Sequence, residues 1–130
     1  MTPEELRKRT RAFALRVMRV VEALPRGRSA DVIARQLTKA GTSVGANYRA
    51  ACRARSNADF IAKMSIVEEE VDETIYWMEL LAEAGLLKKA AIDPLLQEAR
   101  ELLAITVASI NTARGRIRAR RQSPSGDIGR

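Results

Sequence analysis

Histidine is absent from all 130 residues. That removes Ser–His and Cys–His nucleophilic pairs, imidazole metal ligands and histidine proton relays. The Glu-x-x-His motifs of carboxylate-bridged di-iron bundles go with them. Cysteine occurs once, as Cys52, so no intramolecular disulfide can form; the expectation for it is a small, buried, apolar side chain. Two Phe, two Tyr and one Trp leave a core that must be largely aliphatic. No apolar run approaches the ~20 residues of a membrane span. The opening "MTPEELRKRT" has no apolar signal-peptide stretch. A cytoplasmic protein that does not enter the membrane is therefore expected. Paired carboxylates are the remaining route to catalysis. With no nucleophile or cleft signal beside them, the sequence predicts no enzyme, no cofactor and no bound metal.

What is abundant is alanine, leucine, arginine and glutamate, with 46% hydrophobic residues overall. This composition favours helix, and the length suits one domain. Four amphipathic segments can be read, at about 3–24, 30–54, 58–84 and 94–119. In the first, Leu6, Phe13, Val17, Val20 and Leu24 recur at helical spacing. In the second, Ile33, Leu37, Ala40, Val44, Tyr48 and Ala51 do, with Ser29 as the expected N-cap. Phe60, Met64, Val67, Val71, Met78 and Leu81 mark the third, which Gly85 should end. The fourth is expected to start at "DP", with Asp93 as N-cap and Pro94 at N1. Short links between such helices predict an all-α, antiparallel up-down four-helix bundle over 1–120. Residues 121–130 read as a disordered basic tail.

Charge is unevenly spread. The net charge is +7, yet residues 58–85 carry one basic and eight acidic side chains. The stretch "TSVGANYRAACRAR" (42–55) raises the opposite question. On a helical wheel Arg35, Lys39, Arg49 and Arg53 form one stripe, while Gly41, Gly45 and Cys52 fall on another face. Mid-helix glycines with no strand upstream do not make a phosphate loop. Each costs about 0.8–1 kcal/mol relative to alanine, which close approach of a neighbouring helix would offset. On the acidic helix, Glu68 lies in a row with Ile61 and Ile75, and Glu73 with Ile66 and Leu80. Carboxylates among isoleucines need cationic partners. The expectation is that Arg49 and Arg53 supply them, within the chain or from a neighbouring subunit. Apolar residues on more than one face of that helix also predict a homo-oligomer.

"GTSVGANYRAACRARSNADFIAKMSIVEEEVDETIYWMELL" (41–81) closely resembles the central segment of small bacterial four-helix-bundle proteins related to those encoded within 23S rRNA intervening sequences. The resemblance extends over roughly 6–115. It implies a bundle that assembles as a ring-like homopentamer, with no catalytic residues to carry over. A related bundle, the accessory protein of diversity-generating retroelements, is pentameric and basic, and binds nucleic acid and a reverse transcriptase. Within the shared segment the candidate packing and charge positions are Gly41, Gly45, Asn47, Arg49, Arg53, Arg55, Glu69, Glu70 and Asp72. Glu68 and Glu73 join them on the residue pattern alone.

Two functions follow as expectations. The first is a basic oligomer that binds nucleic acid, RNA above all, through phosphate contacts. Its candidate residues are Arg7, Lys8, Arg9, Arg11, Arg16 and Arg19 near the N-terminus, and Arg114, Arg116, Arg118, Arg120 and Arg121 near the C-terminus. The second is a protein-interaction scaffold or accessory factor, for example for a reverse transcriptase, with nucleic acid secondary.

Overall fold

A computed structural model describes residues 1–122. It contains four helices: α1 Pro3–Glu22, α2 Arg28–Ala51, α3 Asn57–Glu83 and α4 Lys89–Gln122. No strand occurs among the described residues. Each helix packs on the next through a link of five residues, an arrangement consistent with an up-and-down four-helix bundle. No described helix is long and apolar enough to cross a membrane.

The helix ends follow from side-chain chemistry. Thr2 Oγ1 accepts from the Glu5 amide at 3.1 Å, and Glu5 Oε1 accepts from the Thr2 amide at 2.7 Å. This reciprocal pair satisfies two donors that the first turn leaves free. Ser56 caps α3 by accepting from the Asp59 amide at 3.0 Å. Gly85 adopts φ 72°, the left-handed region that favours glycine. It lets the Leu86 amide donate back to the Leu81 carbonyl at 3.1 Å, which terminates α3.

Two starts differ from the sequence reading. Gly27, not Ser29, precedes α2, and makes no side-chain cap. Helix α4 begins a turn early, at Lys89, so Pro94 lies inside it rather than at N1. The extra turn carries Ile92 into the core, where it is fully buried. Pro94 cannot donate to the carbonyl four residues back, but Ala90 and Pro94 are both exposed, so that carbonyl is not sealed from solvent. At its other end α4 continues past 119 to Gln122. Arg121 is therefore helical; the rest of the expected tail, 123–130, lies outside the described residues.

The core is aliphatic apart from Phe13 and Tyr48, with Val17, Leu37, Met64, Met78, Leu81 and Leu102 fully or almost fully enclosed. Three buried threonines, Thr10, Thr74 and Thr106, satisfy their hydroxyls on carbonyls of the preceding turn at 2.7–3.1 Å, so none is left unpaired. The glycine face of α2 meets α1. A Cβ on Gly41 would lie 2.7 Å from Val17 Cγ1, and one on Gly45 would lie 3.2 Å from Thr10 Oγ1.

Helix α3 is the central element, packed between α2 and α4. These two contacts account for much of the breadth of its apolar surface. Ile75 is buried, Ile61, Trp77 and Leu80 are half-buried, and only Ile66 and Tyr76 remain substantially exposed. By contrast, α1 meets α4 over a much shorter stretch than it meets α2.

Candidate nucleic-acid interface

The narrow α1–α4 contact leaves a groove at one end of the bundle. It is bounded by the start of α1, the α2–α3 turn and the second half of α4, and encloses about 940 Å³. Leu6 and Tyr48 are buried in its floor and Phe60 and Ile105 are half-buried there. Arg7, Arg55, Arg116 and Arg120 line it as exposed side chains, and among the described residues no Asp or Glu does. Burial pushes the Tyr48 phenol well above its usual range, and neighbouring Cys52 adds to the shift. Cys52 itself is exposed rather than buried, because it falls where α2 ends.

A second, shallower groove of about 760 Å³ runs along the outside of the same turn. Arg49, Arg53, Arg55 and Lys63 line it together with one carboxylate, Asp59. Asp59 accepts from Lys63 Nζ at 2.6 Å and from the Arg55 amide at 3.2 Å. Both bonds favour the ionised carboxylate and lower its pKa, Lys63 most. Asp59 is thus largely neutralised and the groove keeps a cationic excess. Arg55 lines both grooves, which makes the two surfaces continuous around the turn.

The placement of Arg49 and Arg53 corrects the ion-pair expectation within the chain. Among the described residues, neither forms a salt bridge with Glu68, Glu69, Glu70, Asp72 or Glu73. The reason is register. In a helical hairpin, residues equally far from the turn face each other, so Arg49 and Arg53 stand level with the first turns of α3. Lys39 stands level with the acidic run, and it is Lys39 whose charge reaches Glu70. Even so, burial and the nearby Glu73 leave the Glu70 pKa raised. Glu73 receives only a long bond from Trp77 Nε1, at 3.3 Å. Asn47 bonds locally, donating to the Ser43 carbonyl at 2.8 Å.

Of the candidate phosphate contacts, the structure brings Arg7, Arg116 and Arg120 together and adds Arg55, which sequence reasoning had placed among packing residues. Arg114, Arg118 and Arg121 are exposed on the same turns of α4 but do not line the groove. Arg11 is exposed on α1 outside both grooves. Arg16 and Arg19 lie about 14 and 18 Å further along α1 than Arg7, at ~1.5 Å per residue. Lys8 makes an exposed 3.9 Å pair with Glu4, a type of contact worth little.

Arg9 is withdrawn from the candidates, because it ties α1 to α4. Its guanidinium donates to both oxygens of Glu98 at 2.7 Å and to Glu101 at 2.6 Å. The Glu98 side chain is only 16% exposed, so Arg9→Ala would strand a desolvated carboxylate. We expect a loss of about 1–3 kcal/mol, read as a fall in Tm; an unchanged Tm would remove the tie. Arg9 also depresses the Glu101 pKa, chiefly through the hydrogen bond. A depressed folded-state carboxylate stabilises above its unfolded pKa, and that stability disappears as pH falls through the folded value. Arg9→Ala should therefore blunt acid sensitivity as well as lower Tm.

No group of three or more side chains placed to hold a metal occurs among the described residues. The sequence model of a family described as "23S rRNA-intervening sequence protein" matches residues 4–108. No curated protein matches the chain. A solved structure, described as a protein with unknown function from the S23 ribosomal protein family of Bacteroides thetaiotaomicron VPI-5482, is similar with a TM-score of 0.75. The two are 31% identical over a match that covers 80% of this chain and 96% of that one.

Proposed function

The chain belongs to the family of 23S rRNA-intervening sequence proteins, and we propose that it is a non-enzymatic protein that binds RNA through the cationic end of its bundle. The observation that carries this reading is the end groove, lined among the described residues by four arginines and no carboxylate. A bundle that needed these arginines for its own stability would pair them, as it pairs Arg9. Left exposed, they attract polyanions and gain by releasing their counterions. The adjoining Arg49 and Arg53 lengthen the track. Assembly into a homo-oligomer, a pentamer by family resemblance, belongs to the same proposal. It would set several such ends on one particle and raise affinity by avidity.

Fluorescence anisotropy with labelled RNA, on protein whose mass is fixed by light scattering, tests both parts. A slope of log K against log salt of roughly −3 to −4 is expected for about four to six phosphate contacts on a single strand. No binding at low salt overturns RNA recognition, and a stable monomer at micromolar concentration removes the assembly.

A further inference from the structure

The chemistry of the end groove narrows the kind of RNA it can take. Cations alone would suit any polyanion, duplex or single strand. This groove also has an apolar floor, in which Phe60 and Ile105 are half-buried and accessible from the groove. A duplex keeps its bases stacked inside and presents phosphates and 2′-hydroxyls. It has nothing to place on a phenyl ring that lines the same groove as the arginines. An unpaired strand does, because each base offers a flat face that stacks on an aromatic side chain while its phosphate remains outside. The volume, about 940 Å³, lies near the upper end of sites that enclose small organic ligands, so a base fits with room to spare. Beyond the groove, Arg55 leads to the second groove, whose apolar part consists of Ala46 and Ala50 with no aromatic residue. There the contacts would be to phosphate alone.

We infer that the end groove binds an unpaired RNA segment, with a base against Phe60, phosphates on Arg7, Arg55, Arg116 and Arg120, and the backbone continuing over Arg49 and Arg53. The inference rests on the RNA-binding reading and specifies the strandedness of the ligand at that same site.

The test compares a labelled, non-self-complementary RNA with the same strand annealed to its complement. A length of about 12 nucleotides lies within the roughly 4–16 that single-strand-binding folds cover. At one salt concentration the unpaired strand should bind about tenfold tighter or better. Phe60→Ala should weaken single-strand binding about 5- to 150-fold, the equivalent of losing one stacked base. Duplex binding should stay within about twofold. If Phe60→Ala loses its helical circular dichroism, Phe60→Leu performs the same test, since it keeps apolar volume and removes the aromatic face. Equal affinity for duplex and single strand overturns the inference and leaves RNA binding standing. So does an equal loss for both ligands in the Phe60 variants. Failure to bind either RNA at low salt overturns the broader reading as well.

Discussion

Replacing Arg7, Arg55, Arg116 and Arg120 together with glutamine is expected to lower RNA affinity by on the order of 100-fold or more at ~0.1 M salt. All four side chains are exposed, and surface changes of this kind usually alter stability by less than about 0.5 kcal/mol each. The helical signal and Tm should therefore stay close to those of the parent. Binding should not. Each lost phosphate contact on a single strand flattens the slope of log K against log salt by about 0.7, so the slope should drop by nearly 3. The informative control removes the same number of charges elsewhere. Arg11, Arg16, Arg19 and Arg28 line neither groove. Their replacement by glutamine should leave most of the affinity, because counterion release is local to the contacted phosphates. Equal losses from the two quadruple variants would mean that net charge, and not the groove, holds the RNA.

The second large effect concerns stability. Gly41→Leu is expected to destabilise the bundle by about 3 kcal/mol or more, and Gly41→Ala by roughly 1–2 kcal/mol. A Cβ at this position would stand 2.7 and 2.8 Å from the two Cγ atoms of Val17. Val17 is fully buried and β-branched, so it has neither space nor a free rotamer with which to withdraw. Overpacking of this kind costs about 1–3 kcal/mol. The gain in helix propensity from glycine to alanine, about 0.8–1 kcal/mol, offsets only part of that. Gly45→Ala provides the contrast. Its Cβ would stand 3.2 Å from Thr10 Oγ1, a crowding that a few tenths of an ångström relieves, so its effect should stay within about 1 kcal/mol of zero. A cycle with Val17→Ala separates the causes. The double variant Gly41→Ala/Val17→Ala should be more stable than the sum of the single losses predicts; strict additivity would show that the contact is not the source.

The residues that announced the helices were those with strong local rules. Gly85, past the end of α3, acts within one turn, so spacing along the chain suffices to place it. Pro94 misled for the same reason. The local rule puts proline at N1, but α4 starts a turn earlier and carries Ile92 into the core, a tertiary contact that a local rule does not see. The register of α2 against α3 was legible in principle. Counting outward from the turn would have matched Lys39, not Arg49, with Glu70. The end groove was not legible at all, because it arises where α1 and α4 diverge. Nothing in their separate amphipathic patterns encodes the stretch over which they touch. Arg9 and Arg7 look alike in sequence, and only the position of Glu98 and Glu101 separates a structural arginine from a free one.

The slender α1–α4 seam also bears on how the chain reaches this shape. Almost every helix pairing joins neighbours in sequence, and the single pairing between chain ends is the weakest. Native contacts are thus short-range in sequence, the topology associated with folding in microseconds to milliseconds. Hairpins can zip outward from each five-residue turn without first closing a long loop. The Arg9–Glu98 bond, which spans 89 residues, then serves as a late fastening on a bundle already assembled. On that order of events, losing the bond should accelerate unfolding and leave the folding rate nearly unchanged.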